Sequence, residues 1–130
     1  MTSLNKSVYD ALINTSLNDV FQAAKDLAPI IKKTELMESP YFSKECNNQV
    51  YLKPENLQIT GAFKIRGAFN KINKLTTTEK DRGVIAASAG NHAQGVAYAS
   101  KLLGVNATIV LPATTPIIKV EATKEHGATV

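Results

Sequence analysis

Gly83-Val84-Ile85-Ala86-Ala87-Ser88-Ala89-Gly90-Asn91-His92-Ala93-Gln94-Gly95 is the run whose reading decides the fold. Gly83 to Ala87 is a short apolar stretch opened by glycine, the pattern of a buried strand in a parallel sheet. A helix from about Asn91 to Leu103 follows directly and is closed by Gly104. Between the two, Gly90 permits a tight turn. The backbone N–H groups at the helix start then point into the crevice at the carboxyl end of the sheet, where an anion would be held.

Outward from this unit the same order repeats. Downstream lie a strand from Ala107 to Leu111, a turn from Pro112 to Pro116, and a helix from about Ile117 to His126. Gly127-Ala128-Thr129-Val130 then reads as the opening of another strand. Upstream, Ile65, Ala68, Phe69, Ile72 and Leu75 mark one face of a helix whose end is supplied by Thr76 to Glu79. Helix and strand in alternation predict an α/β fold, a parallel sheet with helices on both faces. Nearer the start, Ser16 or Asn18 can cap a helix to about Ile31, with Val20, Phe21, Ala24, Leu27 and Ala28 at helical spacing. A short extended piece at Thr34 to Met37, a turn at Ser39-Pro40 and a strand over Gln49 to Lys53, halted by Pro54, follow. Residues 1 to 15 carry no motif and read as an arm or a short helix.

A chain of 130 residues, 44% hydrophobic and 20% charged, is long enough to bury a real core. It has no cysteine framework, no apolar run long enough to span a bilayer and no low-complexity bias, which excludes membrane, fibrous and disordered classes. Fifteen basic residues against eleven acidic ones give a net charge of +4. That charge is spread along the chain, so it favours phosphate-bearing small molecules over nucleic acid. Cys46 is the only cysteine. It can form no internal disulfide, has no partner at metal-ligand spacing and reads as a partly buried thiol, which leaves no metal site. The first ten residues lack the pattern of a secretion signal, and a reducing cytoplasm fits best.

Thr60-Gly61-Ala62-Phe63-Lys64-Ile65-Arg66-Gly67-Ala68 is the first segment with pointed chemistry. Lys64 stands where a loop becomes a helix. The positive end of the helix dipole and partial burial against Phe63 would both lower its pKa, as Schiff-base chemistry requires of a nucleophilic amine. A lysine near a helix start is more commonly a solvated surface residue, and on these residues alone both readings stand. Ser88 to Gly95 is the second segment. It is neither a dinucleotide fingerprint nor a P-loop, and Ala86 departs from a nucleophile elbow built on Ser88. His92, taken singly, is a helix-surface or cap residue more often than a base.

Together the two segments closely resemble the pyridoxal-phosphate enzymes of the threonine dehydratase (threonine ammonia-lyase) family, of the tryptophan-synthase-β fold type, PLP fold type II. The resemblance runs through Tyr51-Leu52-Lys53-Pro54-Glu55-Asn56-Leu57-Gln58, Thr60 to Ala68, Ser88 to Gly95, and Leu111-Pro112 to Lys119-Val120. It implies that Lys64 is the catalytic Schiff-base lysine, that Phe63 packs beside the pyridine ring, and that Asn91 hydrogen-bonds the ring's phenolic oxygen. It likewise implies that Ser88, Ala89, Gly90, Asn91 and His92 hold the substrate carboxylate. The implied cofactor is pyridoxal 5'-phosphate. The implied reaction is β-elimination of L-threonine to 2-oxobutanoate and ammonia, with L-serine giving pyruvate, in a cytoplasmic homo-oligomer of amino-acid metabolism such as isoleucine biosynthesis. Serine racemases of this fold place a serine where this chain has Ala89, which disfavours racemisation. Ala62 stands where many relatives have serine, and a small residue still fits.

Full-length members of that family run well beyond 130 residues and carry a glycine-rich loop for the cofactor phosphate, and the seven glycines here include no Gly-Gly-Gly run. The chain is therefore expected to be the amino-terminal part of a dehydratase. Residues 1–55 would be the opening elements of the larger domain and residues 56–130 the smaller cofactor-side domain, incomplete at its carboxyl end. The alternative expectation is a catalytically inactive fragment or association module without the phosphate loop.

Overall fold

The computed structural model of the protein describes residues 14–130. The expected arm of residues 1 to 15 lies almost wholly outside the described residues. Two compact units divide at Ile30 and Ile31. In the first, helix α1 (Leu17–Leu27) opens on Ser16, whose Oγ accepts from Asp19 N while Asp19 Oδ2 accepts from Ser16 N, a reciprocal cap that satisfies two otherwise orphaned donors.

The second unit begins with a small antiparallel pair, β1 (Met37–Glu38) and β2 (Tyr51–Leu52), which brackets helix α2 (Pro40–Cys46). The predicted turn at Ser39-Pro40 is instead the start of this helix. Ser39 Oγ accepts from Phe42 N, and Pro40 sits in the first turn, where its missing N–H costs nothing. Both strands are shorter than the sequence predicts, and Cys46 is exposed, not partly buried.

Helix α3 (Lys64–Asn73) buries Ile65, Ala68, Phe69 and Ile72, four of the five predicted positions on its apolar face. Thr76 to Glu79 does not end that helix. Thr76 caps a separate helix, α4 (Thr77–Arg82), with Glu79 returning the bond to Thr76 N. The parallel pair β3 (Val84–Ala87) and β4 (Ala107–Val110) runs in register from Val84 opposite Ala107 to Ala87 opposite Val110. Helix α5 (Asn91–Leu103) joins them and ends on Gly104 in the left-handed conformation, as predicted. Helix α6 (Ile117–Glu125) leads to Thr129, which bridges in parallel to Thr108. Ile109 N donates to Thr129 O, and Thr129 N donates to Ala107 O. Of the strand predicted over Gly127 to Val130, the structure shows this single bridge at Thr129.

The core lies where α5 meets α3 on one side and the sheet on the other. Ala93, Ala97 and Ala99 of α5, with Ala107 and Ile109 of β4 and Ile65 of α3, are all at most 6% exposed. Each fully buried isoleucine contributes roughly 1.5–3 kcal/mol by leaving water. The α/β class and the parallel sheet hold. The strand Gly83 to Ala87, read as buried, is covered on one face only: Ile85 on β3 is 72% exposed and Val110 on β4 is 51% exposed. Among the described residues no helix is long and apolar enough to cross a membrane.

Gly83 connects α4 to β3 at φ +79° and ψ −178°, a region that only glycine occupies without strain. A Cβ placed there would lie 2.7 Å from the backbone oxygen of Asn106, which itself accepts from Val84 N. Gly83→Ala is expected to cost about 2 kcal/mol, because backbone strain and a clash with an immovable carbonyl add. Urea denaturation checks this, and a midpoint unchanged from the parent chain would contradict it.

Candidate active site

The loop before α3 is built by its own hydrogen bonds. Two short turns, Glu55–Leu57 and Ile59–Gly61, follow Pro54. Gln58, only 3% exposed, ties them back to the start of the unit: its Oε1 accepts from Lys32 N and Ile59 N, and its Nε2 donates to Lys32 O. Thr60 and Gly61 then both adopt left-handed backbone, at φ +66° and +67°. For a β-branched threonine this conformation is strained, and such strain persists only where the surroundings dictate it. The double left-handed step turns the chain so that Ala62 is buried, Phe63 precedes the helix and Lys64 becomes its first residue.

A polar clasp fixes the first turn of α3 to this loop. Arg66 Nε donates to Glu55 Oε2 at 2.9 Å and Arg66 Nη2 donates to Glu55 Oε1 at 2.7 Å, a bidentate pair. Thr34 Oγ1 donates to Glu55 Oε1 at 2.6 Å, and Lys53 Nζ donates to Thr34 O. The Arg66 hydrogen bonds hold the Glu55 carboxyl down at about 2, against an opposing push from burial, and Glu55 in turn raises Arg66.

Lys64 itself is exposed, and its Nζ stands 4.7 Å from the centroid of the Phe63 ring, which is 56% exposed. The predicted partial burial against Phe63 is replaced by a cation over an aromatic face, because the loop turns both side chains outward. Beneath the lysine runs α5. Gly95 has its missing Cβ position 3.1 Å from Lys64 C and 3.2 Å from both Lys64 O and Ile65 N. Asn91 stands one helical turn earlier, on the same side of α5 as Gly95. The two sequence segments therefore meet in space.

Gly90 caps α5 with no side chain, and Ser88 Oγ accepts from Gly90 N at 3.3 Å. Ala93 N donates to Gly90 O, and no side chain caps the start of α5, an end where negative charge is favoured. Ser88, Ala89 and Gly90 are half-buried; Asn91 and His92 are exposed. A cavity of about 670 Å³ is walled by Phe63, Lys64, Ile72, Val84, His92 and Val96 among others. It gathers Phe63, Lys64 and His92, and Ser88 to Asn91 are not among its wall residues. An exposed primary amine beside an aromatic ring, with a cavity of ligand size and an uncapped helix start, is a donor set that fits an aromatic aldehyde carrying anionic groups. The clasp and the Gly95 contact are absent from the sequence reading. An isolated glycine inside a helical pattern was the available signal for Gly95; for Glu55 and Arg66, eleven positions apart, there was none.

The sequence model of the family described as pyridoxal-phosphate dependent enzymes matches residues 27–130. The L-threonine dehydratase catabolic TdcB of Staphylococcus aureus (strain USA300) is 54% identical over 116 residues, covering 88% of this chain and 34% of that protein. Among solved structures, a serine racemase from Dictyostelium discoideum superposes with a TM-score of 0.85 at 39% identity, covering 89% of this chain and 38% of that one. The processed form of threonine deaminase isoform 2 from Solanum lycopersicum gives 0.75 at 38% identity, covering 88% and 33%. The chain spans about a third of the length of the curated relatives it matches. With the family's sequence model matching most of its residues, the chain belongs to the pyridoxal-phosphate dependent enzymes.

Proposed function

We propose that this chain carries the lysine-bearing part of a pyridoxal-phosphate dependent threonine ammonia-lyase that converts L-threonine to 2-oxobutanoate and ammonia, and L-serine to pyruvate. The observation that carries the reading is Lys64, the exposed first residue of α3, whose backbone rests on α5 at Gly95, one turn from Asn91, and which lines a cavity with Phe63 and His92. The identity to the TdcB dehydratase and the likeness to the tomato deaminase support threonine as substrate. The relative's designation as catabolic favours a degradative role over isoleucine biosynthesis. Ala89, where serine racemases of this fold place a serine, supports elimination over racemisation.

In this reading Lys64 Nζ would hold the cofactor by its aldehyde carbon, Phe63 would pack beside the ring, and the Asn91 amide would donate to the ring's phenolic oxygen. The turn over Ser88, Ala89, Gly90, Asn91 and His92 would bind the substrate carboxylate through backbone N–H groups other than those of Ser88 and Gly90, which donate to Val110 O and Ser88 Oγ, where the helix dipole favours negative charge. Pyridoxal phosphate supplies an electron sink for the charge left at the substrate Cα. As a free amine, Lys64 Nζ would take the substrate Cα proton while hydroxide leaves Cβ, and water would hydrolyse the resulting enamine to the keto acid and ammonia. Residues 1–55 would be the opening elements of a larger domain, and residues 56–130 the smaller cofactor-side domain, in a cytoplasmic homo-oligomer.

The purified chain mixed with pyridoxal 5'-phosphate, trapped with borohydride and digested, tests the assignment. The expected result is a visible band that threonine shifts, and a label concentrated on the Lys64 peptide. A label spread evenly over the exposed lysines would refute it.

A further inference from the structure

We propose that Gly95 is the positioning residue for Lys64: its lack of a side chain sets how deeply the start of α3 rests on α5, and so where the amine of Lys64 stands relative to the turn before Asn91. The inference rests on the role proposed for Lys64. Gly95 is buried in the middle of a 13-residue helix, a place where alanine is the better helix former. No left-handed backbone requires glycine there, since the positive-φ glycines are Gly61, Gly83, Gly104 and Gly127. What requires it is proximity. An added Cβ would stand 3.1 Å from Lys64 C and 3.2 Å from Lys64 O and Ile65 N. All three are backbone atoms, so no rotamer change relieves the crowding; α3 must move away by a few tenths of an ångström and carry Lys64 with it. By contrast Gly67, on α3 itself, has nothing within 4 Å of its added Cβ. The close approach is therefore specific to the lysine's own peptide unit, and a reacting group displaced by a fraction of an ångström loses rate steeply.

Gly95→Ala separates position from stability, because the gain in helix propensity offsets the cost of the tight contact. The 130-residue chain and the variant are compared in two measurements, with circular dichroism on the same samples. One is the rate and pH profile of borohydride trapping of pyridoxal 5'-phosphate on Lys64. The other is the NMR titration of Lys64 after ¹³C reductive methylation, which reads the amine whether or not the cofactor binds. The expected result is an intact helical signal, trapping on Lys64 slower by roughly tenfold, and a displaced Lys64 resonance. An intact helical signal with an unmoved Lys64 resonance overturns the proposal. If the parent chain shows no preference for Lys64, the cofactor reading fails, and the resonance still decides the role of Gly95. Should Gly95→Ala unfold, the same measurements are made with Ser100→Ala added, which removes a buried hydroxyl on α5 that has no hydrogen-bond partner. Loss of the helical signal in that pair too would overturn the proposal, since the contact would then serve the fold and not the lysine.

Discussion

Lys64→Ala is expected to remove every trace of pyridoxal phosphate trapped on the α3 peptide, and to abolish 2-oxobutanoate formation in a dehydratase that contains this chain, while leaving the fold as stable as before. The loss of rate is large because, in the proposed function, one amine serves twice, as covalent anchor and as proton acceptor at the substrate Cα; at least about 10⁴-fold is expected. The stability is indifferent for a reason visible in the structure. Lys64 is the first residue of α3, where its positive charge opposes the helix dipole at a cost of roughly 0.3–1 kcal/mol. Its contact with the exposed Phe63 ring at 4.7 Å returns about 0.5–1 kcal/mol. The two nearly cancel. A thermal scan beside a keto-acid assay checks both halves. Residual activity within about tenfold of the parent would refute the role of Lys64, and a fall in the midpoint beyond about 5 °C would show that the side chain supports the fold.

That pairing of a demanding chemical position with an undemanding structural one explains what the sequence could reveal. Strands β3 and β4 and helix α5 are legible because Gly83, Gly90 and Gly104 punctuate β3 and α5, Pro112 follows β4, and the strands are short apolar runs. The start of α2 escaped because Ser-Pro is ambiguous: the same pair that opens a turn also supplies an N-cap and a first-turn proline. Helix α4 escaped because its capping box, Thr76 with Glu79, lies within one turn of the preceding helix and reads as its tail. Lys64 was legible as a lysine at a loop-to-helix junction, but its exposure was not, since exposure is set by the left-handed pair Thr60 and Gly61 that turns Phe63 outward. The apolar run Val84 to Ala87 suggested burial on both faces; what lies over Ile85 is a tertiary matter that the run itself does not encode. Gly95 and the Glu55–Arg66 clasp are tertiary in the same sense. Each depends on two segments arriving at one place, and neither segment announces its partner.

The clasp gives the second large effect. Glu55→Ala leaves Arg66, 30% exposed, without the carboxylate that satisfies two of its donors, and leaves Thr34 and Lys53 short of a partner. A cost of about 2 kcal/mol follows from leaving a half-buried cation without its carboxylate. Acid should do by protonation what the substitution does by deletion. Glu55 is held down to about 2 from an ordinary value of 4.5, so folding is favoured by the ionised form. The stabilisation is fully present above the ordinary value and is lost as pH falls from about 5 through about 2, where the folded chain too takes up the proton. Discounted for the solvent around Arg66, it is on the order of 2 kcal/mol. Glu79 is also held below its ordinary range, by the backbone and side-chain hydrogen bonds of Thr76, and adds a shallower loss in the same direction. Urea midpoints measured across that range should therefore fall steeply for the parent chain. For Glu55→Gln they should start lower at neutral pH and show a weaker slope, to which Glu79 contributes. If Glu55→Gln kept the parent's acid slope, the titrating group would lie elsewhere and the clasp would not be what fastens the first turn of α3 to its loop.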